Sequence, residues 1–239
     1  MVSIKREQLK KKAVFLGFED VLVPGAINEK VDAKKVKEIL KNLKALEEKG
    51  LLNLVLLVGY KKEKAIKLVK ESGLYAFFKP ENIFTVTEEY LASKEEIDRK
   101  RYEKSLAENP DFKDEFLKQV AIKEFLEKKG IEREEALLIG HDLLTDAFYT
   151  REFSKIDVAL VKGALSERHE KAKRLVKGTP YIKREWTDVL KLLTGKGKKP
   201  EYPLLKAYIY TRLKEQLFGD DIAKKVALTR EQLLKAKNN

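Results

Sequence analysis

The chain has 239 residues, 43% of them hydrophobic and 38% charged, with no cysteine, one methionine and a formal net charge of +12. That length can bury a full core, as one α/β domain or a domain with an appendage. Without cysteine there is no disulfide and no thiolate metal site. No segment approaches the roughly 20 apolar residues of a membrane span, and "MVSIKREQLKKK" leads into no signal-peptide apolar region. A cytoplasmic protein without membrane attachment is expected. Dense Lys and Glu with few oxidisable residues resembles the composition of proteins that work hot, where ion-pair networks help.

In chain order, "VFL" at 14–16 reads as a buried strand that ends on Gly17 and delivers Glu19 and Asp20 to a sheet edge. A helix follows through "AKKVKEILKNLKALEEKG". Its Val36, Ile39, Leu40, Leu43 and Leu46 recur at helical spacing, with Asp32 as its cap and Gly50 as its stop. "NLVLLV" at 53–58 is continuously apolar, as a strand of a parallel sheet is. A helix to Gly73 and a strand "NIFTVT" at 82–87 come next.

Residues 88–117 break the rhythm as a small acidic helical insertion; 88–115 hold ten acids against six bases. The helix through "DFKDEFLKQVAIKEFLEKKG" places Phe112, Phe116, Val120 and Phe125 or Leu126 on one side. Then follow strand "ALLIG", helix "TDAFYTREF", strand "DVALV", helix "SERHEKAKRLVKG", short strand "PYI" and helix "WTDVLKLL". This alternation predicts a parallel sheet with helices on both faces. The expected layout is a core over 1–195 and a basic helical extension over 196–239, where eleven Lys or Arg stand against five acids. "TGKGKKPEYP" lacks the spacing of a phosphate-binding P-loop.

Two motifs resemble the haloacid dehalogenase (HAD) superfamily of phosphohydrolases. "VFLGFEDVLV" is similar to its first motif, hhhDxDGhL, where h is apolar, and "LLIGHDLLTDAF" to its fourth, hhhGDxxxDh. "KQVAIKEFLEKKGIEREEALLIG" resembles the lysine-helix-strand segment between them, so the likeness spans roughly residues 12–193. It implies a three-layer Rossmannoid α/β fold with a minimal cap at the insertion. It also implies an aspartate nucleophile, an acid/base aspartate, a Ser/Thr and a Lys that hold the phosphoryl group, and Mg²⁺ held by fourth-motif acids.

Laid onto this chain, the nucleophile position is Gly17, the acid/base position is Glu19, and the glycine after it is Asp20. Val58 stands for the hydroxyl residue. Lys118 falls at the lysine, inside a helix if that helix starts near Asp111. His141 replaces the first fourth-motif acid, beside Asp142, and Asp146 is the last. Glycine has no side chain to attack phosphorus and valine has no donor for a phosphoryl oxygen.

The surviving groups leave several readings open. Glu19, His141, Asp142 and Asp146 are candidate ligands for Mg²⁺ or a softer divalent metal; alternatively Thr145 and Asp146 only cap a helix and His141 is a loop residue. The leading expectation is a catalytically degenerate homologue that binds or scaffolds, with residual metal or phosphate affinity. A second is a divergent metal-dependent phosphohydrolase using Glu19 or Asp20 with Asp146 and Lys118. A third is weak nucleic-acid binding through the basic tail. Candidate partners are a phosphorylated ligand, a protein on the C-terminal helices, or a second copy of the chain.

Overall fold

The computed structural model describes residues 6–26, 30–87, 113–148, 150–161 and 181–195, with single helical positions at 92, 96, 99, 100 and 103. Most of the acidic insertion, the helix expected over 166–178 and the tail over 196–239 lie outside the described residues.

Six strands form one sheet: β1 (Ala13–Gly17), β2 (Asn53–Val58), β3 (Ile83–Thr85), β4 (Ala136–Gly140), β5 (Asp157–Val161) and β6 (Tyr181–Ile182). Their order is β3-β2-β1-β4-β5-β6, and every pairing is parallel. The chain winds outward from β1 in one direction and then returns to build β4 on its other side. A doubly wound sheet of this order leaves a crevice beyond the carboxyl ends of the two strands where winding reverses. Here those strands are β1 and β4, with Leu16 level with Ile139.

Side-chain alternation sorts the core into two layers. Val14, Leu16, Leu54, Leu56, Leu137 and Ile139 point to one face, and helices α1 (Ala33–Glu48), α2 (Lys62–Glu71) and α4 (Trp186–Leu193) bury their apolar residues there. Phe15, Val55, Leu57, Leu138, Val158 and Leu160 point to the other, against α3 (Lys113–Lys129). Phe15 meets Phe125 of α3 edge-on, with ring centroids 5.6 Å apart. The expected three-layer α/β core is therefore present.

Local signals explain the helix ends. The Asp32 side chain accepts from Lys34 and Lys35 N–H, satisfying two donors that the first turn of α1 leaves open. At the other end Gly50 takes φ 67. Its N–H bonds Glu47 O and that of Leu51 bonds Leu46 O, the paired closure that a left-handed residue permits. The apolar stripe of α1 is buried as its spacing requires, and Glu47 is buried beside it. The Glu47 carboxylate accepts from Leu54 N–H and from Asn82 Nδ2, tying α1 to β2 and to the turn before β3.

Three elements differ from expectation. β3 covers three residues because Asn82 closes a turn and spends its side chain on Leu54 O and Glu47. In α3 the buried residues include Leu117, Ala121, Ile122, Phe125 and Leu126, while Val120 is half-buried. Residues three and four apart define two adjacent stripes on such a helix, and periodicity alone does not choose between them. The segment expected as an α-helix over 145–153 forms two π-helical turns, Leu143–Phe148 and Thr150–Ser154. Ala147 N–H bonds Asp142 O and Lys155 N–H bonds Thr150 O, each five residues back. Buried Gln119 of α3 holds this segment, donating to Thr150 Oγ1 at 3.1 Å and accepting from Ser154 Oγ at 2.5 Å. No helix among the described residues is long and apolar enough to cross a membrane.

Candidate functional site

A cavity of about 370 Å³ opens beyond the carboxyl ends of β1, β2 and β4, the place where the sheet topology puts a crevice. Its lining includes Gly17, Glu19, Val58, Lys118, His141 and Asp146. These are positions that the resemblance singles out, and the fold brings them together.

β1 ends at Gly17, which contributes no functional group to the cavity. A Cβ built there would lie 3.1 Å from Val21 Cγ2 and 3.8 Å from Ile139 O, so even one added carbon presses on a packed methyl. The loop then turns tightly: Leu22 and Val23 N–H both bond Phe18 O. Asp20 sits at φ 60, a left-handed conformation that Asp tolerates better than most residues. Glycine would take the same conformation without a steric cost.

Glu19 and Asp20 part company. Glu19 lines the cavity, and Tyr60 Oη donates to its Oε1 at 2.5 Å. That hydrogen bond to a carboxylate, with burial and the Glu19 charge behind it, raises the Tyr60 hydroxyl above its ordinary pKa. The Lys64 ammonium lies 3.9 Å over the Tyr60 ring. Asp20 is buried, 4% exposed, and is not among the residues lining the cavity. Its carboxyl group lies over Gly25, where a Cβ would come within 2.6 Å of it. Arg184 clamps the same loop from α4's approach, donating to Asp20 O at 2.6 Å and to Val21 O at 3.0 Å. Burial lowers the Arg184 pKa, and the Asp20 charge works against that shift. Asp20 therefore builds the loop, and the expectation that it could activate water finds no support in its position.

β4 supplies the remaining groups. Asp146 folds back over the strand end, so that a Cβ on Gly140 would lie 2.4 Å from its carboxyl atoms. Only glycine leaves room for that close approach. Oδ2 of Asp146 accepts from His141 N–H at 2.8 Å and Asp142 N–H at 3.1 Å. Its Oδ1 accepts from Lys118 Nζ at 2.6 Å. Burial would push this carboxyl up. The charges of Lys118 and His141 and the donors of Lys118 and Asp142 outweigh it, and Asp146 is held below the ordinary Asp value. The His141 ring spans two acids, with Nε2 3.6 Å from Asp20 and Nδ1 3.5 Å from Asp146. Asp142 Oδ1 accepts from Thr145 N–H at 2.7 Å, so the helix-capping acid here is Asp142.

Lys118 lies in the second turn of α3, inside the helix, and reaches the cavity from there. Residues 113–117, expected at the end of the insertion, fall within the bounds of α3. Among the described residues, no group of three or more His, Asp and Glu side chains is arranged to hold a metal ion. The donor chemistry agrees: Asp146 already accepts three hydrogen bonds, Glu19 is engaged by Tyr60, and Asp142 caps a turn. As arranged, these residues do not fit a divalent cation. Sequence reasoning missed Tyr60 and Arg184, and had Gly140 only as the glycine of the fourth motif. Tyr60, two residues past a strand end, carried the one readable signal.

No family model matches the chain, and no curated protein matches it. Solved structures do resemble it. A haloacid dehalogenase-like hydrolase protein from Bacillus subtilis is 17% identical, with 80% of this chain and 93% of that chain covered and a TM-score of 0.45. The cobalt-bound form of deoxy-D-mannose-octulosonate 8-phosphate phosphatase from Haemophilus influenzae is 15% identical over 80% and 93% of the two chains, with a TM-score of 0.43. The corresponding phosphatase from Moraxella catarrhalis, in complex with magnesium ion, phosphate ion and KDO, is 15% identical over 86% and 95%, with a TM-score of 0.40.

Proposed function

We propose that this chain is a catalytically degenerate HAD-like protein that uses its crevice for binding or scaffolding and performs no phosphoryl transfer. The observation that carries the reading is Gly17: the strand end facing the cavity offers no nucleophile. Two neighbours support it. Val58 gives the cavity a methyl surface where a hydroxyl would clamp a phosphoryl oxygen. Lys118 spends its charge on Asp146 at 2.6 Å, which weakens it as an anchor for an incoming anion.

The second reading, direct hydrolysis with Glu19 as general base, rests on one specific fact. Glu19 lines the same cavity as Lys118 and is oriented by Tyr60. One experiment separates the two. Hydrolysis of p-nitrophenyl phosphate is measured with Mg²⁺, Mn²⁺, Co²⁺ or Ni²⁺, at ambient and raised temperature, beside a Glu19→Gln/Asp146→Asn double variant. The binding reading expects no turnover above the double variant. Wild-type turnover that disappears in that variant would establish the hydrolytic route instead.

A further inference from the structure

Hard divalent cations need several oxygen donors free to converge on one point. Asp146 is the acid best placed in this crevice, and three donors already engage its carboxylate. Oδ1 receives the Lys118 ammonium at 2.6 Å, and Oδ2 receives two backbone N–H groups at 2.8 and 3.1 Å. The carboxylate is packed against Gly140 at the wall of the cavity. His141 stands where the HAD pattern has another acid, and its ring lies 3.5 Å from the same Oδ2. A dication entering here would meet an ammonium already in place, and like charges at such separations repel.

We propose that Lys118 is the resident cation of the crevice: its ammonium occupies the role that the resemblance assigns to Mg²⁺, and the folded chain takes up no divalent metal at Asp146. This inference is independent of the absent nucleophile, because it rests on how Asp146 is satisfied. A protein of this kind would keep its crevice intact in chelator, and any ligand it takes would bind without a bridging metal.

The test uses the full chain, with MgCl₂ and MnCl₂ as probes in isothermal titration calorimetry and thermal unfolding. The wild type is expected to give no saturable heat and the same Tm in chelator and in metal. In a Lys118→Met/His141→Asp variant the ammonium is gone and an acid is restored, so Tm should rise with metal concentration, as for any ligand that binds only the folded state. Wild-type uptake that Asp146→Asn abolishes would overturn the proposal. So would a folded double variant that still ignores metal, because Lys118 would then not be what excludes it. Circular dichroism establishes folding. If the double variant does not fold, the wild-type titration decides alone, for or against.

Discussion

Two lysine–aspartate pairs sit at opposite ends of the same sheet, and both measure 2.6 Å. At the amino-terminal edge, Lys11 reaches Asp157 and the carbonyl of Glu134, and Arg151 bonds the other Asp157 oxygen at 2.8 Å. At the carboxyl edge, Lys118 reaches Asp146. The difference lies in what surrounds the acid. The Asp157 side chain is 33% exposed between two cations, whereas that of Asp146 is 6% exposed beside a cavity. A buried ion pair is therefore no sign of function by itself, and concavity is the discriminating observation.

The comparison breaks most sharply under neutralisation. Asp146→Asn should cost about 3–5 kcal/mol, because it leaves the Lys118 charge buried without its counter-ion. Asp157→Asn should cost less, roughly 1–2 kcal/mol, since water reaches Asp157 and the buried Lys11 ammonium keeps the carbonyl of Glu134. Urea unfolding of the two variants measures both, and equal losses would mean that the two environments are alike.

Acid titration sharpens it next. Asp146 has a folded pKa below the ordinary Asp value of about 3.9. Its contribution to stability is fully present above that value and is lost as pH falls through the lower folded pKa. Unfolding free energy followed from neutral pH to strong acid should decline in this window for the wild type and flatten in Asp146→Asn. At the amino-terminal edge Glu135 is also held down, mainly by its hydrogen bond with Lys12 at 2.6 Å. That pair is solvent-exposed enough for added salt to erase much of its effect.

The smallest expected effect is Tyr60→Phe. It removes one hydrogen bond to Glu19 at a half-exposed site, for about 0.5–1.5 kcal/mol or less. Its value is diagnostic, because Glu19 loses the Tyr60 tether without any change at Asp146. A loss as large as that of Asp146→Asn would show that the loop after β1 carries stability that this account places elsewhere.

How far the sequence spoke follows from the kind of signal each residue carries. β2 spans Asn53–Val58, its continuous apolar run Leu54–Val58 stopping at Gly59, and α4 spans Trp186–Leu193 with Val189 and Leu193 at helical spacing. α1 is equally legible, since its cap and its closing glycine act on immediate neighbours. Val120 shows the limit: adjacent helical stripes compete, and only contact with Phe15 and the rest of the sheet selects the one holding Leu117, Ala121 and Phe125. The π-helical turns depend on Gln119, some 30 residues away in sequence, which no local pattern reports. At the site, Gly17, Glu19, Lys118 and Asp146 were readable because motif spacing locates strand ends. The separation of Glu19 from Asp20 was not, because it depends on Tyr60, Gly25 and Arg184 arriving from elsewhere.

The tight fit around Gly17 has a consequence for how such a chain can change. Val21 is buried, branched at Cβ and stiff, and its methyl already stands 3.1 Å from where a new side chain would begin. An acid introduced at position 17 thus arrives with a packing penalty, before any benefit from Val58 or Lys118 can follow. Placing an acid at this strand end runs uphill at its first step, and the favourable order would trim Val21 before touching Gly17. At position 17, one methyl group of Val21 sets the cost of any side chain.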